Sequence, residues 1–154
     1  MTKDLTDELA LDLDRFVQAQ ARNYDAAERE ISAGRKTSHW MWYVYPQLLG
    51  LGRSDFSLYY GLDGVREAQA YLAHPVLGPR LVHMTELMLQ HLDMPAEVIL
   101  GRVDAGKLRS CATLFASLSG SHPVFAQVLD MFYDGERCAI TEALLAGDQD
   151  EAEE

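Results

Sequence analysis

The sequence predicts an all-α protein, built as a single compact domain of about seven to nine short helices. Apolar residues recur every three or four positions along most of the chain, as expected for helices with one buried face. Glycines and prolines divide the chain into segments of helical length, and no segment shows the regular alternation of a strand with a partner. With 154 residues and 48% apolar content, the chain is long enough for one domain with a substantial core.

Two helices are predicted before the first glycine. The first would begin near Asp12 or Asp14, either of which suits a cap or a partner of the helix dipole. Its inward face comprises Leu13, Phe16, Val17 and Gln20. The second would span residues 24–32 and end at Gly34, because glycine is the usual residue after a helix C-terminus.

The next segments are predicted to be short. Ser38 could cap a helical turn over residues 39–44, which Pro46 would end. Residues 43–45 are β-prone, but the chain offers them no partner strand, so we interpret them as the end of that turn. Four glycines then break the middle of the chain into short pieces, namely Gly50, Gly52, Gly61 and Gly64.

The second half of the chain carries the most regular helical stripes. One helix is predicted over residues 67–73, and Pro75, Pro95 and Pro123 have the character of first-turn residues in later helices. Gly135 would end the helix after Pro123, and a last helix would contain Ile140, Leu144 and Leu145. From these stripes we predict five core residues, Leu81, Leu108, Phe115, Phe125 and Val128.

The formal net charge of −11 is concentrated at the two ends of the chain. Residues 1–14 carry five acids and one lysine, and residues 146–154 carry five acids, which leaves only −2 for the body. We therefore predict an acidic, frayed N-terminus over residues 1–10, a helical domain over residues 11–145 and a disordered acidic tail over residues 146–154. Since general nucleic-acid binding requires a basic surface, the charge disfavours that function.

Cysteine and histidine usage predicts a cytoplasmic protein without a metal or another cofactor. Cys111 and Cys138 stand alone, and the N-terminus has neither the basic nor the apolar region of a signal peptide. No apolar run approaches the length of a membrane span. None of the five histidines lies four residues from another, so no metal-binding spacing is present.

The segment of residues 35–54 is the strongest candidate for a functional site. It contains two tryptophans, two tyrosines, a histidine and three cations, and it contains no carboxylate. Aromatic faces beside cations suit a planar, negatively charged ligand. The Gly50–Ser54 loop resembles a phosphate-binding loop only loosely, because it lacks the spacing of the known glycine motifs.

Two further windows, residues 68–85 and 105–129, also contain cations and no acid. If the three windows converged, they would form an electropositive pocket that selects phosphates or carboxylates. We expect Lys36, His39, Trp40, Arg53 and Arg80 to lie in one cleft. The alternative interpretation is that acid-free stretches are the buried parts of helices.

Trp40 and Trp42 are predicted to face different surroundings. Residues two positions apart on a helix point in directions about 200° apart, so the two rings can hardly pack on the same face of the core. One ring would pack inward and the other would line a groove. The alternative is that two layers of helices enclose the segment and bury both rings.

These residues carry a resemblance to a known family. The matching segments are Arg15–Gln20, Gly34–Gln47, Gly50–Ser54, Ala70–Leu81 and Lys107–Phe115, and the resemblance extends from about Leu11 to Leu145. The chain is similar to an uncharacterised bacterial family known as domain of unknown function 1810. The resemblance implies a mainly helical fold and the same candidate site, but no activity, since the family has none assigned.

Two details qualify the resemblance. Members of the family are sometimes labelled calpastatin, but true calpastatins are disordered protease inhibitors, whereas this chain has the apolar stripes of a folded domain. In addition, Cys138 occupies a position where the family pattern has an acid. If that acid contributes to a pocket in other members, this protein differs there.

The leading functional hypothesis is a cleft that binds an anionic small molecule, either phosphate-bearing or nucleotide-like. The predicted ligand-binding residues are Arg35, Lys36, His39, Trp40, Trp42, Gln47, Arg53, Ser54, Arg80, Lys107 and Ser110. If the site is catalytic, His39 is the candidate acid or base. The alternative is a protein–protein interaction module with an exposed Trp, Tyr and Arg surface. The sequence leaves open whether a reaction is catalysed and which oligomer forms.

Overall fold

A computed structural model of the chain describes the backbone of residues 5–153 and the side chains of residues 12–147. Within these residues the chain forms nine α-helices and no β-sheet, which confirms the predicted fold class. The helices are α1 (Leu5–Ala33), α2 (Met41–Val44), α3 (Asp55–Tyr60), α4 (Gly64–Ala73), α5 (Leu77–Leu89), α6 (Ala96–Leu100), α7 (Arg102–Ala116), α8 (Val124–Tyr133) and α9 (Ala139–Glu153). None of the described helices combines the length and apolar character that a membrane span requires.

The N-terminal helix α1 is a single element of 29 residues that begins at Leu5. The prediction of two helices, with the first starting near Asp12 or Asp14, is therefore wrong. Residues 21–23 contain neither glycine nor proline, and nothing interrupts helix propagation between the two predicted segments. The predicted end at Gly34 is confirmed. This glycine adopts a φ of +83°, and its N–H donates to the carbonyl of Ile31.

Both terminal helices extend into the acidic ends of the chain, because α1 begins at Leu5 and α9 ends at Glu153. Residues 1–4 and residue 154, which belong to the ends predicted to fray, lie outside the described residues. Fraying of residues 1–10 and disorder of residues 146–154 in solution stay predictions, as does the domain boundary at 11–145.

The core is built around a series of aromatic rings that joins four helices. Phe16 of α1 meets Tyr71 of α4 edge-on, with ring centroids 5.1 Å apart. Tyr71 contacts Phe115 of α7 at 5.8 Å, and Phe115 contacts Phe125 of α8 at 5.4 Å. The five predicted core residues, Leu81, Leu108, Phe115, Phe125 and Val128, are each at most 1% exposed. The predicted facing of these helices is therefore confirmed.

The turn between α4 and α5 explains one glycine of the sequence. A Cβ atom at Gly78 would lie 2.0 Å from the backbone oxygen of Leu72, so only glycine permits this approach of the two helices. Prolines precede α5, α6 and α8 as predicted, although Pro95 and Pro123 occupy the N-cap and Pro75 the position before it. The shift of one or two residues is within the usual uncertainty of helix boundaries.

Helix packing brings the segment after α1 to the corner between α6 and α7. Helix α7 packs against α4, α6, α8 and α9, while α1 packs against α2, α4 and α5. The N–H of Lys36 donates to the carbonyl of Ile99, the residue before the last of α6, at 2.7 Å. The candidate segment and the first turns of α7 are thereby neighbours.

Candidate functional site

The loop that follows α1 is organised by one carboxylate, that of Glu30. Its Oε1 accepts hydrogen bonds from the N–H of Thr37 (2.7 Å), the N–H of Ser38 (2.9 Å) and the indole Nε1 of Trp40 (3.0 Å). Its Oε2 accepts from the hydroxyl of Ser38 at 2.5 Å. Four donors of the loop therefore converge on the last turns of α1.

The pKa of Glu30 reflects this arrangement. Burial by itself would raise the pKa, but hydrogen bonds from Ser38, Thr37 and Trp40 outweigh it and lower the pKa from 4.5 to about 2. The prediction that Ser38 caps the following helical turn is wrong. The turn, α2, begins at Met41 with Trp40 at its N-cap, and no side chain provides the cap.

The two tryptophans have different surroundings, as predicted, although neither ring lines any of the four grooves described below. Trp40 is fully buried, and its ring lies 6.0 Å from that of Tyr45. Trp42 is half-buried and packs against the edge of the core. Since the Trp40 ring has no accessible surface, Trp42 is the ring of this pair that a ligand can reach.

Two lysines from distant parts of the chain share one carboxylate. Lys36 Nζ lies 2.8 Å from Asp104 Oδ2, and Lys107 Nζ lies 2.9 Å from Asp104 Oδ1. The same ammonium groups contact the tryptophans, with Lys36 5.1 Å from the centroid of the Trp40 ring and Lys107 4.0 Å from that of Trp42. We call these five residues the lysine–tryptophan cluster.

Electrostatics within the lysine–tryptophan cluster favour the ionised form of Asp104. Burial alone would raise its pKa, but hydrogen bonds and charge interactions with Lys36 and Lys107 lower it. The side chains of Lys36, Asp104 and Lys107 retain 7%, 17% and 19% of their accessible surface. The cluster is thus partly desolvated and carries one net positive charge.

Asp104 was not among the sequence candidates. It lies one residue before the acid-free window of residues 105–129, and Glu30 lies five residues before the segment of residues 35–54. In the folded chain, each of these two acid-free windows is therefore contacted by a carboxylate that lies just outside it in the sequence. A lysine three residues after an aspartate on a helix was the available signal for the Asp104–Lys107 pair.

The other predicted cations do not contact the lysine–tryptophan cluster. Arg80 stacks on Tyr24 at 4.5 Å, and its Nη1 donates to Gln20 Oε1 at 3.3 Å. Arg53 and Arg35 are exposed, and neither makes an ion pair with a described residue. Of the five residues expected in one cleft, the structure joins Lys36 and Trp40 and leaves Arg53 and Arg80 elsewhere.

The remaining predicted residues have mainly structural contacts. The His39 side chain is exposed, and its carbonyl accepts from the hydroxyl of Tyr43. Gln47 is buried, and its carbonyl accepts from the N–H of Leu62 (2.9 Å) next to the isolated Leu48–Leu62 bridge. Ser54 caps α3 through its hydroxyl oxygen, which accepts from the Ser57 N–H.

Ser110 contacts the buried Cys138. Its hydroxyl donates to the carbonyl of Gly106 and lies 3.3 Å from Cys138 Sγ. Burial alone would raise the pKa of the Cys138 thiol, but hydrogen bonds from the Ser110 hydroxyl and from the backbone of Thr141 and Ile140 lower it. Cys138 directly precedes α9, so its sulfur lies at the N-terminal end of that helix.

Open grooves occur at other places on the surface. Four of them have volumes of about 340, 480, 290 and 440 Å³, and none of the four is lined by a residue of the predicted site. Within the described part of the chain, no group of three histidine, cysteine or acidic side chains is arranged to hold a metal ion. The lysine–tryptophan cluster is therefore a surface site and not an enclosed cavity among these four.

Comparisons with known proteins agree on the fold. A family model described as "Protein of unknown function (DUF1810)" matches residues 10–145. The crystal structure of a conserved hypothetical protein from Mycobacterium tuberculosis is 47% identical and superposes with a TM-score of 0.86, and the match covers 88% of this chain and 96% of that one. The comparison with curated proteins finds no match.

Proposed function

The chain belongs to the DUF1810 family of proteins of unknown function, and we propose that it binds the anionic group of a small molecule at the lysine–tryptophan cluster. The observation that carries this proposal is the convergence of two ammonium groups beside two indole rings. Lys36, Lys107 and Asp104 together carry one net positive charge, in a body whose net charge is −2. Such focusing attracts anions.

Asp104 would act as the organiser of this site. It holds the two ammonium groups on either side of one carboxylate, so their side chains are ordered before a ligand arrives. Each ammonium has three protons, and the contact with Asp104 uses one of them. Lys107 keeps 19% of its side-chain surface, so its remaining protons can donate to phosphate or carboxylate oxygens, whereas Lys36 keeps only 7% and contributes mainly its charge. Charge-assisted hydrogen bonds of this kind are strong.

Trp42 would provide the aromatic surface. Its half-buried ring packs against the core, and Lys107 Nζ lies 4.0 Å from the ring centroid. The accessible part of the ring can contact a planar group attached to the anion, which favours nucleotides over inorganic phosphate. The ligand would lie on an open surface, so we expect the anionic group to contribute most of the binding energy.

Isothermal titration calorimetry with ATP and with inorganic phosphate tests this proposal. We expect ATP to bind the wild-type protein and Lys107→Met to bind ATP about 10- to 100-fold more weakly, because a charge-assisted hydrogen bond contributes roughly 1.5–3 kcal/mol. Arg66→Met removes the same charge from an exposed position on α4 and serves as the matched control. Thermal unfolding of both variants without ligand checks that they fold.

The same experiment tests the wider site that the sequence predicted. If Arg53 and Arg80 belong to the binding site, Arg53→Ala and Arg80→Ala will weaken ATP binding as much as Lys107→Met does. We expect little change in either variant, because neither side chain contacts the cluster. Equal ATP affinity in Lys107→Met and the wild type would refute the proposal and favour the interaction module.

The proposal assigns binding and no catalytic step. His39 was the candidate acid or base, but its ring is exposed and makes no hydrogen bond or ion pair with a described residue. A general acid or base must lie within hydrogen-bonding reach of the reacting group. Comparing His39→Ala with the wild type for ATP hydrolysis is the direct measurement of a catalytic role.

A further inference from the structure

An apolar surface on α3 lies apart from the lysine–tryptophan cluster. Phe56, Leu58 and Tyr59 are 59%, 57% and 59% exposed, and the adjacent Leu49 is 38% exposed. Together these four side chains, which we call the α3 patch, expose on the order of 300–400 Å² of largely apolar surface. The largest apolar patch on a typical monomer is of about this size, and such a patch is often functional.

Two of the four side chains of the α3 patch, Phe56 and Tyr59, pack on Tyr60 beneath them. The ring of Phe56 is stacked on that of Tyr60 at 6.4 Å with an interplanar angle of 6°, and Tyr59 meets Tyr60 edge-on at 4.7 Å. Arg15 Nε donates to the carbonyl of Tyr59 at 2.8 Å and fixes the end of the helix. Since these side chains are already ordered, a partner would bind them at little cost in conformational entropy.

A groove beside the α3 patch carries negative charge. Its volume is about 480 Å³, and its lining residues are Asp12, Arg15, Leu49, Leu58, Tyr59, Gly61, Asp63 and Glu67. Arg15 and Glu67 neutralise each other through an ion pair of 2.9 Å. Asp12 and Asp63 make no ion pair with any side chain that the structure describes, so they leave two negative charges at the edge of an apolar surface.

We propose that the α3 patch and its groove bind a protein segment in which apolar side chains are flanked by lysine or arginine. The apolar side chains would cover Leu58 and Tyr59, and the cations would lie against Asp12 and Asp63. A second copy of this chain is a poorer occupant, because two-fold pairing of this face would place the same carboxylates near one another in proteins of net charge −11. This inference concerns a different surface from the anion site and does not depend on it.

Fluorescence anisotropy with defined peptides tests the inference. The probe is a labelled ten-residue peptide of alternating leucine and lysine, and two comparison peptides replace either all lysines by glutamate or all leucines by serine. We expect the leucine–lysine peptide to bind at least tenfold more tightly than either comparison peptide. The serine–lysine peptide measures attraction to the acidic protein in general, and equal binding of it would overturn the inference.

Variants locate the binding surface. Tyr59→Ser and Leu58→Ser should each weaken binding of the leucine–lysine peptide at least tenfold, and Asp63→Asn about threefold with a smaller dependence on salt. Leu92→Ser is the control, because Leu92 is 77% exposed and lies in the connection between α5 and α6. Undiminished binding in Tyr59→Ser and Leu58→Ser, or a dimer in analytical ultracentrifugation that Tyr59→Ser dissociates, would overturn the inference.

Discussion

Truncation of Phe115 to alanine is expected to lower the free energy of unfolding by about 3–5 kcal/mol. Phe115 has no accessible surface, and its ring contacts those of Tyr71 and Phe125. Removing it takes away the buried apolar area and leaves a cavity among three helices, which close packing prevents from collapsing fully. Chemical denaturation with the wild type as reference measures the loss.

Val103→Ala is the matched control for this experiment. Val103 lies on the same helix α7 as Phe115, but it is 73% exposed. Its truncation should change the free energy of unfolding by less than about 0.5 kcal/mol, as is usual for surface positions. A loss below 1 kcal/mol for Phe115→Ala would show that α7 does not bury this face in solution.

Replacement of Glu30 by alanine is expected to lower the free energy of unfolding by about 3 kcal/mol at pH 7. The carboxylate accepts from two backbone N–H groups, one hydroxyl and the indole of buried Trp40. A hydrogen bond to a charged group contributes roughly 1.5–3 kcal/mol, and the four are not additive because they share one acceptor group. The loop that leads to Lys36 and Trp42 should loosen as well.

The pH dependence of this loss has a defined sign. The pKa of Glu30 in the folded protein is lowered to about 2, below its ordinary value of 4.5. The stabilisation is therefore fully present above about pH 5 and is lost as the pH falls through the folded pKa. We expect the difference between the wild type and Glu30→Ala to be constant from pH 6 to 8 and to shrink between pH 5 and pH 2.

Glu86→Ala controls for the general effect of removing an acid. Glu86 is exposed on α5 and makes no ion pair with a described residue, so its replacement should leave the free energy of unfolding nearly unchanged. Hydrogen exchange of the Thr37 and Ser38 amides gives a second readout in Glu30→Ala. Unchanged protection of both amides would contradict the role assigned to the carboxylate.

The sequence predicted helices well where the local signals were strong. The stripes of α5, α7 and α8 gave the correct buried faces, because residues three and four apart on a helix share a side wherever that helix packs. The errors arose where the apolar pattern was weak or where a residue type is compatible with more than one structural role. Residues 21–23 looked like a boundary only because the apolar pattern is diluted there, and Ser38 looked like a cap although its hydroxyl binds Glu30.

The candidate site was predicted less completely than the fold. The sequence grouped Lys36, Trp42 and Lys107 with Arg53 and Arg80. In the structure Arg80 contacts Tyr24 and Gln20, and Arg53 is exposed without an ion pair to a described residue. We also interpreted a lack of acids along the chain as a lack of acids in space. Charge counted along a sequence measures only local composition, whereas an ion pair depends on which helices pack together.

What the sequence by itself determined is the helical class, the buried faces of the later helices and the difference between the two tryptophans. These features follow from the helical period and from glycine and proline, which end or interrupt helices at nearby positions in the sequence. Only the tertiary structure decided that Asp104 joins Lys36 to Lys107 and that the α3 patch stays uncovered. The physical reason is that Lys36 and Asp104 lie far apart along the chain, and only the packing of α6 and α7 against the loop after α1 brings them together. The exposure of a surface likewise depends on which elements pack over it.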